Sequence, residues 1–307
     1  MQRIKRQKAI EGTRIPGIIK NGQYYYINLD VYEDGMVNCW ELVDLKSLEE
    51  KLRINWLIPQ IPEGENISIH GLGCYKIKSA KWKYDKRTYY KYVNNVIKQL
   101  NPKLNNIYKI SNEETELLEK RRIRYSPSAI DFYVKNEFGY QTKEGKGFTI
   151  FIKRNDKNYL VNLVLYEDGN IACYNSEFEI SYNLESIKEL FEDGTFFTGF
   201  DNPTTIILDN FGEVTLSDEL QCHVNINEKY KQLVDFYNEL SGNETSLEKC
   251  RNAYYQYLIY PDDETREQLK QAYEAVPEHE RIYLGDMDTR DTDYQRIIYH
   301  SEVKREV

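Results

Sequence analysis

Tyr25–Trp40 reads YYINLDVYEDGMVNCW, and Tyr159–Tyr174 reads YLVNLVLYEDGNIACY. Set over each other at an offset of 134, eight of the sixteen positions are identical: Tyr25/Tyr159, Asn28/Asn162, Leu29/Leu163, Tyr32/Tyr166, Glu33/Glu167, Asp34/Asp168, Gly35/Gly169 and Cys39/Cys173. Chance would give about one, so the chain carries a divergent tandem duplication. Inside the block, Ile27, Leu29, Val31, Val37 and Cys39 alternate with Asn28, Asp30, Tyr32 and Asn38, the period of half-buried strands. Asp34-Gly35 and Asp168-Gly169 supply the φ > 0 residues of a hairpin turn.

The register continues outward on both sides. An insertion in the second copy shifts the offset to 139, where Leu45-Lys46-Ser47-Leu48 meets Leu184-Glu185-Ser186-Ile187 and Ile67…Gly73 meets Ile206…Gly212. At 140, Tyr90-Lys91 meets Tyr230-Lys231 and Leu100 meets Leu240. Asp44 and Asn183 are placed to cap amphipathic helices. A second hairpin is expected around Gly71/Gly73 and Asn210/Gly212, and a closing helix over 87–100 or 227–240. The expected fold is α+β: a tandem duplication of a ββαββα unit, mainly antiparallel, with helices on one face. The expected divisions are a basic leader (1–13), repeat 1 (14–108), a mostly helical connector (109–145), repeat 2 (146–242) and a helical, acidic C-terminal segment (243–307). A break falls at Pro261, with Asp263 as the expected cap of the next helix, and the stretch after Pro277 reads as irregular.

Composition narrows the function classes. With 307 residues, 40% hydrophobic and 30% charged, the chain is long enough for two or three domains and has no apolar run long enough to span a bilayer. No apolar h-region follows the basic start, so a cytoplasmic protein is expected. Five cysteines, none in a C-x-x-C pair, read as buried reduced thiols. The net charge of −9 argues against a nucleic-acid coat, although residues 1–20 carry six basic groups against one acidic. Tyrosine is abundant at 27 residues, a type favoured at recognition surfaces and also raised by biased composition.

The motifs favour structure over chemistry. Glu33-Asp34 and Glu167-Asp168 sit in turns, where adjacent carboxylates point apart. Cys39 and Cys173 fall at inward strand positions. Four histidines lack metal-ligand spacing. Gly139…Gly145-Lys146-Gly147 has the wrong spacing for a phosphate loop, and G-x-S-x-G and G-x-G-x-x-G do not occur. Lys120–Arg124 is the densest basic cluster and follows an acidic run, as a helix dipole would favour. No catalytic residue, metal site or cofactor is therefore assigned.

One surface stands out. Asn28, Tyr32 and Trp40, with their counterparts Asn162, Tyr166 and Tyr174, are expected to form a polar-aromatic face in each copy, the candidate binding residues. The favoured reading is a non-catalytic protein-interaction module of the character of immunity, inhibitor or phage-defence accessory proteins, with a protein partner or a second copy, in which Trp40→Ala and Tyr174→Ala impair binding. Two alternatives are a hydrolase or nuclease-like enzyme with carboxylates between the repeats, and a nucleic-acid-binding protein using local basic patches.

Overall fold

The computed structural model describes residues 10–114, 143–219, 222–285 and 292–303. Most of the leader, most of the connector with Lys120–Arg124 and Gly139, and the acidic residues Asp286, Asp288 and Asp291 lie outside them. The chain divides into two compact units, residues 1–142 with 201–221, and residues 143–200 with 222–307.

In unit 1, β1 (Gly12–Asn21) and β2 (Gln23–Tyr32) form a ten-residue hairpin turned at Gly22 (φ 72°). Then come the short β3 (Val37–Asn38) and β4 (Leu42–Val43), helix α1 (Leu45–Arg53), β5 (Leu57–Ile58), β6 (Asn66–Ile69), β7 (Gly73–Trp82) and helix α2 (Lys86–Leu100). The long partner of β2 is thus β1, a strand the sequence reading did not assign. Pro16 and Gly17 interrupt its alternation, and a proline is tolerated there because β5 pairs only with Ile18 and Ile19.

Unit 1 also contains β13 (Thr204–Leu208) and β14 (Gly212–Leu216), a hairpin that the sequence alignment places in the second copy. Its β14 pairs antiparallel with β7, giving the order β5-β1-β2-β6-β7-β14-β13 with one parallel pair, β2/β6. The two aligned turns match in backbone as well: Gly71 and Asn210 are left-handed at φ 70° and 50°, and Gly73 and Gly212 sit at 152° and 153°. Helix α2 packs on the face that carries Leu29, with the Tyr89 hydroxyl donating to the Pro16 carbonyl at 2.7 Å.

Unit 2 repeats the theme with β8 (Gly145–Arg154), β9 (Lys157–Tyr166), β10 (Ile171–Tyr174), β11 (Glu179–Tyr182), helix α3 (Leu184–Glu192) and β12 (Phe196–Phe197). The sheet order β11-β10-β9-β8-β12 is wholly antiparallel. Asn155 and Asp156, both at positive φ, close the two-residue turn between β8 and β9. Gly145 and Gly147 lie inside β8, away from any phosphate-loop geometry. Helix α4 (Ile226–Leu240) ends the copy. Helices α5 (Ser246–Ile259) and α6 (Asp263–Ala275), a 3-10 strap (Glu278–Tyr283) and helix α7 (Thr292–Tyr299) follow. These C-terminal elements have their own core of Cys250, Leu269, Tyr273, Val276, Leu284, Tyr294 and Ile297. Two expectations are corrected here. Asp262, not Asp263, caps α6, through a box with Thr265, and the stretch after Pro277 contains the strap and α7.

The duplicated turn is preserved in detail. The Gly35 amide donates to Tyr32 and the Tyr32 amide to Met36, as Gly169 does to Tyr166 and Tyr166 to Asn170. The Asp34 and Asp168 carboxylates accept the amides two residues on, so both are turn-forming. Both capping residues, Asp44 and Asn183, accept from the third helical residue. Valine at either turn glycine would carry the strain of a positive φ, roughly 1–3 kcal/mol. A Cβ added at Gly35 would also meet the Ile107 side chain at 3.0 Å, whereas one added at Gly169 would meet nothing within 4 Å. Gly35→Val is therefore expected to destabilise more than Gly169→Val, as read by urea denaturation. Equal losses would contradict this packing. Among the described residues no helix is long and apolar enough to cross a membrane.

Candidate functional site

In unit 1 the β1/β2 register sets Gly12 opposite Tyr32, Arg14 opposite Asp30 and Pro16 opposite Asn28. The Tyr32 ring lies over Gly12, where an added Cβ would stand 2.7 Å from it. Arg14 bonds Asp30 at 2.9 Å and Asn38 bonds its other oxygen at 3.3 Å. Asn28 is exposed, so solvent can satisfy its amide without a bound partner.

Trp40 does not join Asn28 and Tyr32, and the expectation of one face carrying all three is corrected. Strand β3 stops at Asn38, the Trp40 backbone turns left-handed (φ 71°), and its ring centroid lies 5.4 Å from that of Tyr25. Tyr25 alternates to the opposite side of β2 from Asn28 and Tyr32. In unit 2 the strand runs on through Tyr174, which pairs with Asn162, while Tyr166 lies over Gly145. Asn162, Tyr166 and Tyr174 therefore share one half-buried face. The copies differ chemically too: the Arg14–Asp30 pair corresponds to Gly147 opposite Val164, with an added Cβ at Gly147 overlapping the Leu163 carbonyl. Cys39 and Cys173 are fully buried in the core, and burial raises their thiols to about 11 and about 12, which keeps them protonated and unreactive.

A sharper contrast lies on the last helix of each copy. At the offset of 140, Tyr89 aligns with Lys229 and Tyr92 with Gln232, and residues 89 and 229 are both fully buried. In unit 1, Tyr92 stacks on Tyr84 at 4.9 Å, and Phe211, from the turn of the β13–β14 hairpin, stands edge-on to Tyr89 at 5.6 Å. Burial, then the neighbouring Tyr84 and Asp209, pushes the Tyr92 phenol up to about 12. It stays neutral in this aromatic cluster.

In unit 2 the same two positions hold a polar chain. Lys229 Nζ lies 3.7 Å from the centre of the Phe148 ring of β8 and donates to Gln232 Oε1 at 2.6 Å. Gln232 Nε2 in turn donates to Glu280 Oε1 of the strap at 2.7 Å. Glu228 accepts the Glu278 amide and the Lys231 ammonium, each at 2.8 Å. His279 Nε2 stands 3.6 Å from Glu280, and both of its ring nitrogens are buried with no hydrogen-bond partner. Burial pulls Lys229 from 10.5 to about 7, with the Glu280 charge opposing. Burial and then the Lys229 charge hold His279 at about 4, with Glu228 opposing. Such an amine can exchange a proton near neutrality, yet Lys229 is sealed from solvent, so its chemistry acts on the fold rather than on a substrate. The sequence does signal it: Lys229 occupies the apolar face of Leu233 and Phe236, at a position the first copy fills with tyrosine.

The second feature is a surface. Along α5, Cys250, Ala253, Tyr254 and Tyr257 face the C-terminal core. Tyr255, Leu258 and Ile259, with Tyr260 at the cap that follows, are 54–63% exposed. Arg251, one turn before Tyr255, donates to the Tyr283 carbonyl at 2.5 Å, which sets the exposed Ile282 and Tyr283 of the strap beside this stripe.

Residues 1–104 and 132–244 match the family described as Domain of unknown function (DUF7638), and residues 245–306 match Domain of unknown function (DUF7639). The boundary falls between α4 and α5, so the Lys229–Gln232–Glu280 chain joins the two matched regions. Neither the curated proteins nor the solved structures gave a match.

Proposed function

We propose that this chain, which belongs to the family described as Domain of unknown function (DUF7638), acts without catalysis by binding a protein partner through its C-terminal helices. The observation that carries this reading is the apolar patch at the end of α5, where Tyr255, Leu258, Ile259 and the capping Tyr260 are more than half exposed, continued by the exposed Ile282 and Tyr283. Contiguous apolar surface of this kind stays in water only at a cost, and large aromatic groups dominate binding energy once a partner dries them. A protein of this type works by occupying its partner's surface, as inhibitors and immunity proteins do. The duplicated sheet units then serve as the scaffold, and the half-buried face of Asn162, Tyr166 and Tyr174 is a secondary contact.

The test is capture of the tagged chain's partners from its host, compared with Tyr255→Ala and Ile259→Asp chains. Each substitution is expected to weaken the complex by about 30-fold or more while the circular dichroism spectrum is unchanged. A partner retained equally by both variants places binding elsewhere and removes the stripe from the reading.

A further inference from the structure

The strap carries its apolar residues at one end and its polar anchors at the other. Glu278 and Glu280 are held by Glu228 and Gln232 of α4, and Arg281 lies 4.6 Å from the Tyr273 ring centre, with Nε donating to the Val276 carbonyl at 3.2 Å. Between the anchors sits His279, whose nitrogens are enclosed without partners, above a lysine enclosed against Phe148. Hydrogen bonds favour closure. The two enclosed bases oppose it whenever they carry protons, because their nitrogens are cut off from solvent and hydrogen-bonded to no carboxylate, and Glu280, 3.6 Å from His279 Nε2, offsets only part of that cost.

We propose that Lys229, Gln232, Glu280 and His279 form a proton-sensitive latch that holds the strap on α4 and releases it on acidification. The charged groups around it are Glu228 and Lys231 on α4, Glu278, Glu280 and Arg281 on the strap, and Glu274 at the end of α6, whose carbonyl takes Lys231. On β8, Lys146 is committed to Glu239. Opening returns both bases to water, where they bind protons at their ordinary values of 10.5 and 6.5 instead of about 7 and about 4. The open state therefore takes up more protons, and a fall in pH favours it. Release would carry Ile282 and Tyr283 away from the α5 stripe, so the latch would regulate partner binding. That consequence alone rests on the binding reading.

Hydrogen exchange at the amides of residues 278–283, normalised to those of β9, measures the opening in the full chain without a partner. Linkage predicts that the opening constant rises about 40-fold between pH 8 and pH 6 in the wild type, about 4-fold in Lys229→Met and about 10-fold in His279→Gln. Each variant keeps one of the two bases, so if one fails to fold the other still decides. The same pH response in wild type and variants, or none in the wild type, overturns the latch and leaves the stripe's binding test untouched. Stripe-independent capture with the expected exchange pattern does the reverse.

Discussion

A Gly212→Val chain is expected to lose about 3 kcal/mol or more of stability, the sum of backbone strain and overpacking. The loss should appear in unit 1, although the residue belongs to the second copy by sequence. Gly212 stands at φ 153°, and an added Cβ would come within 2.6 Å of the Lys81 carbonyl and 3.1 Å of Trp82 Cα. Neither atom can give way without breaking the β14–β7 ladder, in which Gly212 faces Trp82. The measurement is convenient because all three tryptophans, Trp40, Trp56 and Trp82, lie in unit 1. Urea unfolding followed by tryptophan fluorescence should shift to a lower midpoint in the variant. An unmoved midpoint would mean that β14 does not pair with β7.

Lys229→Met is expected to act in the other direction, raising stability near neutral pH by about 1–4 kcal/mol. Methionine fills the enclosed space beside Phe148 without a charge to desolvate, and Gln232 retains its bond to Glu280. The pH dependence gives the sharper signature. The folded-state value of Lys229, about 7, lies below its ordinary 10.5, so the stability present above pH 10.5 is lost as the pH falls toward 7 and changes little below. Over that window the wild type should lose on the order of 4 kcal/mol from this group, a slope the methionine variant lacks. His279 adds a second loss as the pH falls from 6.5 toward about 4, and that one should persist in Lys229→Met. Circular dichroism during denaturant titration at pH 4.5, 5.5, 7, 8 and 9.5 reads both effects, since the tryptophans do not report on unit 2. Parallel pH curves for the two chains would show that Lys229 keeps its ordinary proton affinity in the fold.

Much of this molecule was legible in the residues. The hairpin turns at Gly35 and Gly169, the caps Asp44 and Asn183, the closing helices and the inward Cys39 and Cys173 all follow from local chemistry: left-handed backbone, side chains that satisfy helix-end amides, and strand or helix periodicity. The hairpin between β8 and β9 was not read in the sequence, like its counterpart β1–β2; Asn155-Asp156, at positive φ in both positions, closes it. Trp40 could not be placed in this way. Alternation predicts a face only while the strand lasts, and β3 ends two residues before it.

The sequence alone determined that one α+β unit occurs twice, because identities at a constant offset need no knowledge of contacts. Tertiary structure alone decided where each piece of the second copy went and what the copies became. The β13–β14 hairpin joins β7 of unit 1 because an exposed strand edge accepts any ladder of matching register, whichever copy supplies it. Likewise, the aligned pairs Tyr89/Tyr92 and Lys229/Gln232 differ in the element that each helix receives. Phe211 closes an aromatic cluster in unit 1, and Glu280 and His279 complete a polar chain in unit 2. A buried lysine is costly without partners: Gln232 lies one turn away, but the Phe148 ring that Lys229 faces and the Glu280 carboxylate that accepts from Gln232 come from distant parts of the chain, beyond the reach of any local pattern.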